Sequence, residues 1–198
     1  MSAVIEKKIE LMLGSRAVEF QHVIGDTQIT DGARKLQDTE AAMLGLVALL
    51  NDLRQRRGQL FVIGNGGSAG VASHAVTDFV NVGKLRATTL HDSALLTCMS
   101  NDYGYEAAFA RILSTMASPR DVLIAISSSG QSNNIRNAAT TMRELGGTAI
   151  TLSGFKRDNP LRMLGDINIW LDSADYGMVE IGHQFVLHNI ADRIRLGS

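Results

Sequence analysis

The stretch Gln59–Gly70, QLFVIGNGGSAG, decides the fold. A short β-favouring apolar run passes directly into a glycine turn, and the turn opens a helix of small residues. Strand, tight loop and helix in that order form the repeating unit of a parallel sheet, and the loop leaves the first helical amides facing outward. The same order returns at Asp121–Ser132, DVLIAISSSGQS, where the turn is built of serines. Further apolar runs stand at ATTLH (87–91), GTAITLSG (147–154) and DINIWLD (166–172). Helical patterns fill the intervals at about 68–82, 92–99, 105–117, 131–145 and 176–195. Each run is continuously apolar, so both faces of its strand are expected to be covered. The expected fold is α/β: a doubly wound, five-stranded parallel sheet of the flavodoxin-like kind.

Residues 1–58 read as an N-terminal helical extension to a domain at 59–198. Val4, Ile5, Ile9, Leu11, Met12 and Leu13 begin one amphipathic pattern, and Gly14, Gly25 and Gly32 are expected between helices. Ala41, Leu44, Leu46, Val47, Leu49, Leu50 and Leu53 form a second pattern, closed by Arg57-Gly58. So small a helix pair has little core of its own. It must pack on the rest of the chain or on another subunit, which makes oligomerisation its expected role.

Composition narrows the function classes. The 198 residues are 45% hydrophobic and 20% charged, the balance of a globular chain, with 19 Gly against 2 Pro. A net charge of -1 gives no electrostatic footprint for nucleic acid, and Arg54, Arg56 and Arg57 read as a solvated helix face. The lone Cys98 rules out an internal disulfide and fits a reducing cytoplasm; within the apolar run ALLTCM it is expected to be buried. The start, MSAVIEKKIELML, is broken by charges and makes a poor signal peptide. No uncharged apolar run is long enough to span a membrane, so a cytoplasmic protein is expected.

Two loops carry the candidate chemistry. Gly64, Gly66 and Ala69 fit a GxGxxA dinucleotide fingerprint, with Asp92 in the place of an acidic ribose ligand. A nicotinamide fold, however, needs no serine loop, and its fingerprint normally lies near the chain start. Ser127, Ser128, Ser129 and Ser132 offer hydroxyls beside free helix amides, a neutral cradle for a phosphate. Serine and asparagine are also ordinary helix caps, which would explain either loop alone. Two such loops at the carboxyl ends of parallel strands point to a ligand. Neither glycine run leads to Lys-Ser or Lys-Thr, so no Walker loop is present and ATP hydrolysis is not expected.

His74 and Asp78 lie four apart on one predicted helix; Glu180, Gln184 and His188 form a stripe on the last, with His183 off it. Two helices that each present a histidine and an acid make a candidate Zn²⁺ site; a buried, hydrogen-bonded histidine pair is the structural alternative.

These motifs together carry a family resemblance. GNGGSA followed by His74, the pair Asn101-Asp102, and ISSSGQS resemble the SIS (sugar isomerase) domain over about residues 40–195. More narrowly they resemble the phosphoheptose isomerases, which interconvert sedoheptulose 7-phosphate and a heptose 7-phosphate. The resemblance implies that Ser127, Ser129 and Ser132, with Ser128 beside them, hold the sugar phosphate. It implies that Asn65, Gly66, Gly67 and Ser68, with Asn101 and Asp102, contact the sugar. It also implies a homotetramer built around the N-terminal helices, and a zinc site at His74, Asp78, Glu180 and His188. His74 and His188 match the family's ligands directly. Asp78 stands where the family has Glu, about 1.5 Å shorter in reach, and Glu180 stands where it has Gln. The stretch DYGMVEIGHQFVLH also resembles SIS proteins of nucleotide-sugar and capsule pathways.

The implied activity is aldose–ketose isomerisation through a cis-enediol(ate), in making activated heptose or surface-polysaccharide precursors. Glu180 or Asp78 is the expected base and His188 its partner. The alternative is a non-catalytic SIS module that senses a sugar phosphate or bridges protein partners.

Overall fold

A computed structural model describes residues 11–197. In chain order the elements are α1 (Leu13–Gly25), β1 (Gln28–Asp31), α2 (Thr39–Gln55), β2 (Gln59–Ile63), α3 (Gly67–Asn81) and β3 (Arg86–Thr89). They continue as α4 (Ser93–Tyr103), α5 (Tyr105–Met116), β4 (Val122–Ser127), α6 (Asn133–Glu144), β5 (Thr148–Ser153), a 3₁₀ turn (Leu161–Met163), β6 (Ile167–Trp170) and α7 (Tyr176–Leu196). The strands form one sheet in the order β1-β6-β5-β4-β2-β3.

The five expected strands are all present and all parallel, and their order has the doubly wound form. The order reverses between β2 and β4. Every residue of β4 is buried, which explains its unbroken apolar sequence. Alternate residues serve opposite layers: Leu60, Val62, Val122, Ile124 and Ile126 join the core beneath α2, α3 and α7. Phe61, Ile63, Leu123 and Ala125 join the core beneath α5 and α6.

The expectation of a purely helical 1–58 needs correction. Gln28–Asp31 is a sixth strand, antiparallel to β6, with Ile29 opposite Ile169. Four residues with a single fully buried apolar side chain, Ile29, leave too short a pattern to read. The strand exists because β6 would otherwise expose an unpaired edge. Gly14 lies inside α1 rather than between helices. Val4, Ile5 and Ile9 fall outside the described residues, while Leu11, Met12 and Leu13 are exposed.

The second amphipathic pattern holds in part: Leu46, Val47, Leu50 and Leu53 are buried and Leu49 is half-buried, but Ala41 and Leu44 are exposed and Met43 takes the inner face instead. Asp38 caps α2, its side chain accepting from the Ala41 amide at 2.8 Å, and Met43, Leu46, Val47, Leu50 and Leu53 bury one face against the sheet.

Cys98 is exposed, contrary to expectation. In α4 the apolar partners Leu95, Leu96 and Met99 turn toward the core, while Cys98 takes the outer flank beside Asp102. A continuous apolar run on a helix cannot put every member on one face.

Leu50 is fully buried between α2 and the sheet. Leu50→Ala is expected to lower the unfolding free energy by about 2–5 kcal/mol, read as a fall in the urea midpoint at unchanged slope.

Candidate functional site

Strands β2 and β4 lie side by side, and their following helices leave on opposite faces of the sheet. The glycine loop and the serine loop therefore open toward each other across a cavity of about 270 Å³. Its walls include Asn65, Gly66, Gly67, Ser68, the four serines of the second loop, Tyr176 and Glu180. The expected phosphate cradle and most of the expected sugar contacts are thus brought together. Among the described residues, no lysine or arginine lines the cavity, and Glu180 is its one charged wall.

The serine loop is preorganised. Ser127 and Ser128 are buried, the Ser127 hydroxyl donates to Ser132 Oγ at 3.2 Å, and Ser129 Oγ accepts from the Gln131 amide at 3.3 Å. Ser132 occupies the cap of α6 without a side-chain hydrogen bond to that helix, so the first-turn amides keep their outward face. Gly130 sits at φ +67°, and a Cβ there would also run into the Asn159 side chain, so this position has to be glycine.

A reciprocal amide pair ties the loops together. Asn65 Nδ2 donates to Asn134 Oδ1 and Asn134 Nδ2 donates to Asn65 Oδ1, both at 2.9 Å. The Tyr105 hydroxyl adds a 2.7 Å bond to Asn65 Oδ1. Asn134 and Tyr105 escaped the sequence reading because their partner lies 69 or 40 positions away, and nothing local marks them. Behind the glycine loop, His91 Nε2 accepts from the Gly64 amide at 3.4 Å. Burial pushes His91 below the ordinary histidine range.

Helices α3 and α7 run alongside each other. At one level Gly67 meets Glu180, and a Cβ on Gly67 would run into the Glu180 carboxylate. Two turns further on, His74 Nε2 and His188 Nε2 stand 3.0 Å apart. His188 Nδ1 approaches Asp78 Oδ2 to 2.9 Å, and His74 Nε2 comes within 3.6 Å of the same oxygen. His74, Asp78 and His188 offer ligand atoms all within 4.8 Å of one another. Asp78 Oδ2 is buried and accepts no aligned hydrogen bond, while the two histidine Nε2 atoms stand within hydrogen-bond distance of each other. That donor set fits a divalent cation such as Zn²⁺. Glu180, eight residues before His188 and so about 12 Å back along α7, stands apart from this cluster at the cavity wall.

Asn101 and Asp102 lie exposed near the end of α4, where Asn101 Nδ2 donates to Asp102 Oδ1 at 2.9 Å, and neither lines the cavity. Asp92 caps α4, accepting from the Leu95 amide at 2.8 Å.

His183, off the Glu180–His188 stripe, is fully buried with Nε2 3.2 Å from the Ser153 carbonyl. Burial lowers its pKa to about 4. The unfolded chain therefore takes up this proton near pH 6.5, while the native protein does not until about pH 4. Stability is expected to fall as pH drops through that window, by on the order of 3 kcal/mol from this group. Denaturant titrations at pH 7 and pH 4 check it: His183→Gln should lose correspondingly less between the two, and equal losses would show that His183 is not held neutral.

The SIS domain family model matches residues 27–154 of this chain. A phosphoheptose isomerase from Geobacter sulfurreducens is 33% identical over 177 residues, covering 84% of this chain and 93% of that protein. The structure of phosphoheptose isomerase GmhA from Neisseria gonorrhoeae superposes with a TM-score of 0.70 at 26% identity, over 92% of this chain and 98% of that one. A phosphoheptose isomerase from Francisella tularensis has the same fold, with a TM-score of 0.81 at 22% identity over 99% and 100% of the two chains.

Proposed function

The chain belongs to the SIS domain family, and on that premise we propose that it is a sugar-phosphate aldose–ketose isomerase. Its substrate in this reading is sedoheptulose 7-phosphate or a related seven- or eight-carbon sugar phosphate, on the way to activated heptose or surface-polysaccharide precursors. One observation carries the proposal: a serine cradle without cations faces a carboxylate, Glu180, across a single cavity. Amides, hydroxyls and the α6 dipole hold the phosphate, leaving the carboxylate beside it for proton chemistry. The names of the similar proteins support the same reaction class.

The substrate binds in open-chain form with its phosphate on Ser127–Ser132 and its carbon chain along α3 and α7. The two-turn offset between Glu180 and the histidines suits a long sugar phosphate. Glu180 removes a proton from the carbon beside the carbonyl, the proton on the carboxyl can exchange with solvent, and a proton is then delivered to the neighbouring carbon after the cis-enediol(ate) forms. Asp78 Oδ2 stands 2.9 Å from His188 Nδ1, and in this reading His188 is the partner at the sugar oxygens. His74, Asp78 and His188 are the residues that would hold Zn²⁺, which when bound supplies electrophilic stabilisation of a developing oxyanion.

The active form in this reading is a homotetramer. The side chains of His74 and His188 are 54% and 46% exposed, and the same helix carries exposed Ile181 and Phe185. A second copy over this face would cover the apolar stripe and exclude water from the histidines. Light scattering on the purified protein is expected to return four times the chain mass.

Incubation with sedoheptulose 7-phosphate in D₂O, with and without Zn²⁺, is the direct test. Exchange of the proton beside the carbonyl is expected; binding without exchange would instead favour a sugar-phosphate-sensing module. Ser127→Ala with Ser129→Ala should raise KM about 10- to 100-fold with little change in kcat, since hydrogen bonds to a charged group are lost. His188→Gln should lower kcat about 100-fold or more while thermal unfolding stays near wild type. Near-normal turnover would return that histidine to a structural role.

A further inference from the structure

At the β1–β6 edge of the sheet lies a second cavity, of about 320 Å³, that shares no lining residue with the serine-loop cavity. Three guanidinium groups line it: Arg34 from the turn after β1, and Arg157 and Arg162 from the segment between β5 and β6. Arg162 is 4% exposed, an unusual burial for an arginine. Its guanidinium stacks 4.7 Å over the Trp170 ring, and donates to the Arg157 carbonyl and to Gln28 Oε1, each at 3.0 Å. Those two bonds use two of its five N–H groups.

Among the described residues, no carboxylate lies within ion-pairing distance of Arg34, Arg157 or Arg162. Asp158 also lines the cavity, so three positive charges there face one negative. Burial, and secondarily the like charge of Arg157, lowers the Arg162 pKa, as befits a desolvated cation short of a counterion. Buried charge without a partner is costly. Three arginines line this one cavity, and the planar fork of an arginine matches the geometry of phosphate oxygens. Thr30 adds a polar side chain, while Leu36 and Met163 supply an apolar wall for a short organic portion.

We propose that this cavity is a second anion site, separate from the serine loop, that takes a small phosphorylated metabolite. Arg162 is its fixed, buried base, and Arg34 and Arg157 are its exposed jaws.

The test uses inorganic pyrophosphate as the probe and calorimetric titration of the full chain at low salt. The serine-loop variant, Ser127→Ala with Ser129→Ala, weakens the other phosphate cradle and serves as the background. Pyrophosphate is expected to bind this variant. Adding Arg34→Gln and Arg157→Gln should weaken that binding about tenfold or more, with Arg195→Gln as an exposed-charge control that leaves it unchanged. Both arginine positions are exposed, so thermal unfolding of these variants should match the background. No binding to the serine-loop variant would overturn the proposal, and so would affinity that Arg34→Gln with Arg157→Gln leaves intact. Equal weakening by Arg195→Gln would reduce the effect to general surface charge and overturn it as well. The outcome does not depend on isomerase activity, because binding is read directly and Arg34, Arg157 and Arg195 do not line the serine-loop cavity.

Discussion

Strands β2 and β4 lie next to each other in the sheet while the chain between them has already visited β3. Their following helices must leave on opposite faces, so a crevice opens between the two loops at the carboxyl edge. The Asn65–Asn134 amide pair then spans this divergence and fixes the distance across it. Cradle, sugar loop and Glu180 all take their positions from that adjacency.

Charge is distributed in keeping with this arrangement. Aligned amides and serine hydroxyls line the crevice without a single cation, so an acidic group can stand beside a bound phosphate without being neutralised by a lysine or arginine. A group of three arginines, Arg34, Arg157 and Arg162, lies instead at the β1–β6 edge of the sheet. A near-neutral net charge thus conceals two separate environments.

Most of the fold was legible because the strand pattern is strong: the buried strands β2, β4 and β5 read as largely apolar runs that end at a serine or glycine. Strand β3, expected to be covered on both faces, instead lies at the sheet edge and buries none of its residues. The site loops were legible for a related reason, since Gly130 and the serines answer local backbone demands. What sequence reading missed is set by partners far along the chain. Strand β1 exists to cover the β6 edge, and Tyr105 matters through a bond to Asn65. Cys98 was misread because an apolar run says nothing about which side of a helix each member takes. Spacing put Glu180 and His188 on one stripe, yet two helical turns separate them, and only Asp78 joins the histidines.

By itself the sequence determined the order of strands and helices, the two ligand loops and the histidine-bearing helix faces, because these follow from periodicity and local backbone preference. Only the tertiary structure decided which group each acid sits beside. Asp78 lies against His188 and Glu180 lies against Gly67, because α3 and α7 pack alongside each other in register. That register is a property of two helices in contact, and no local pattern in either one contains it.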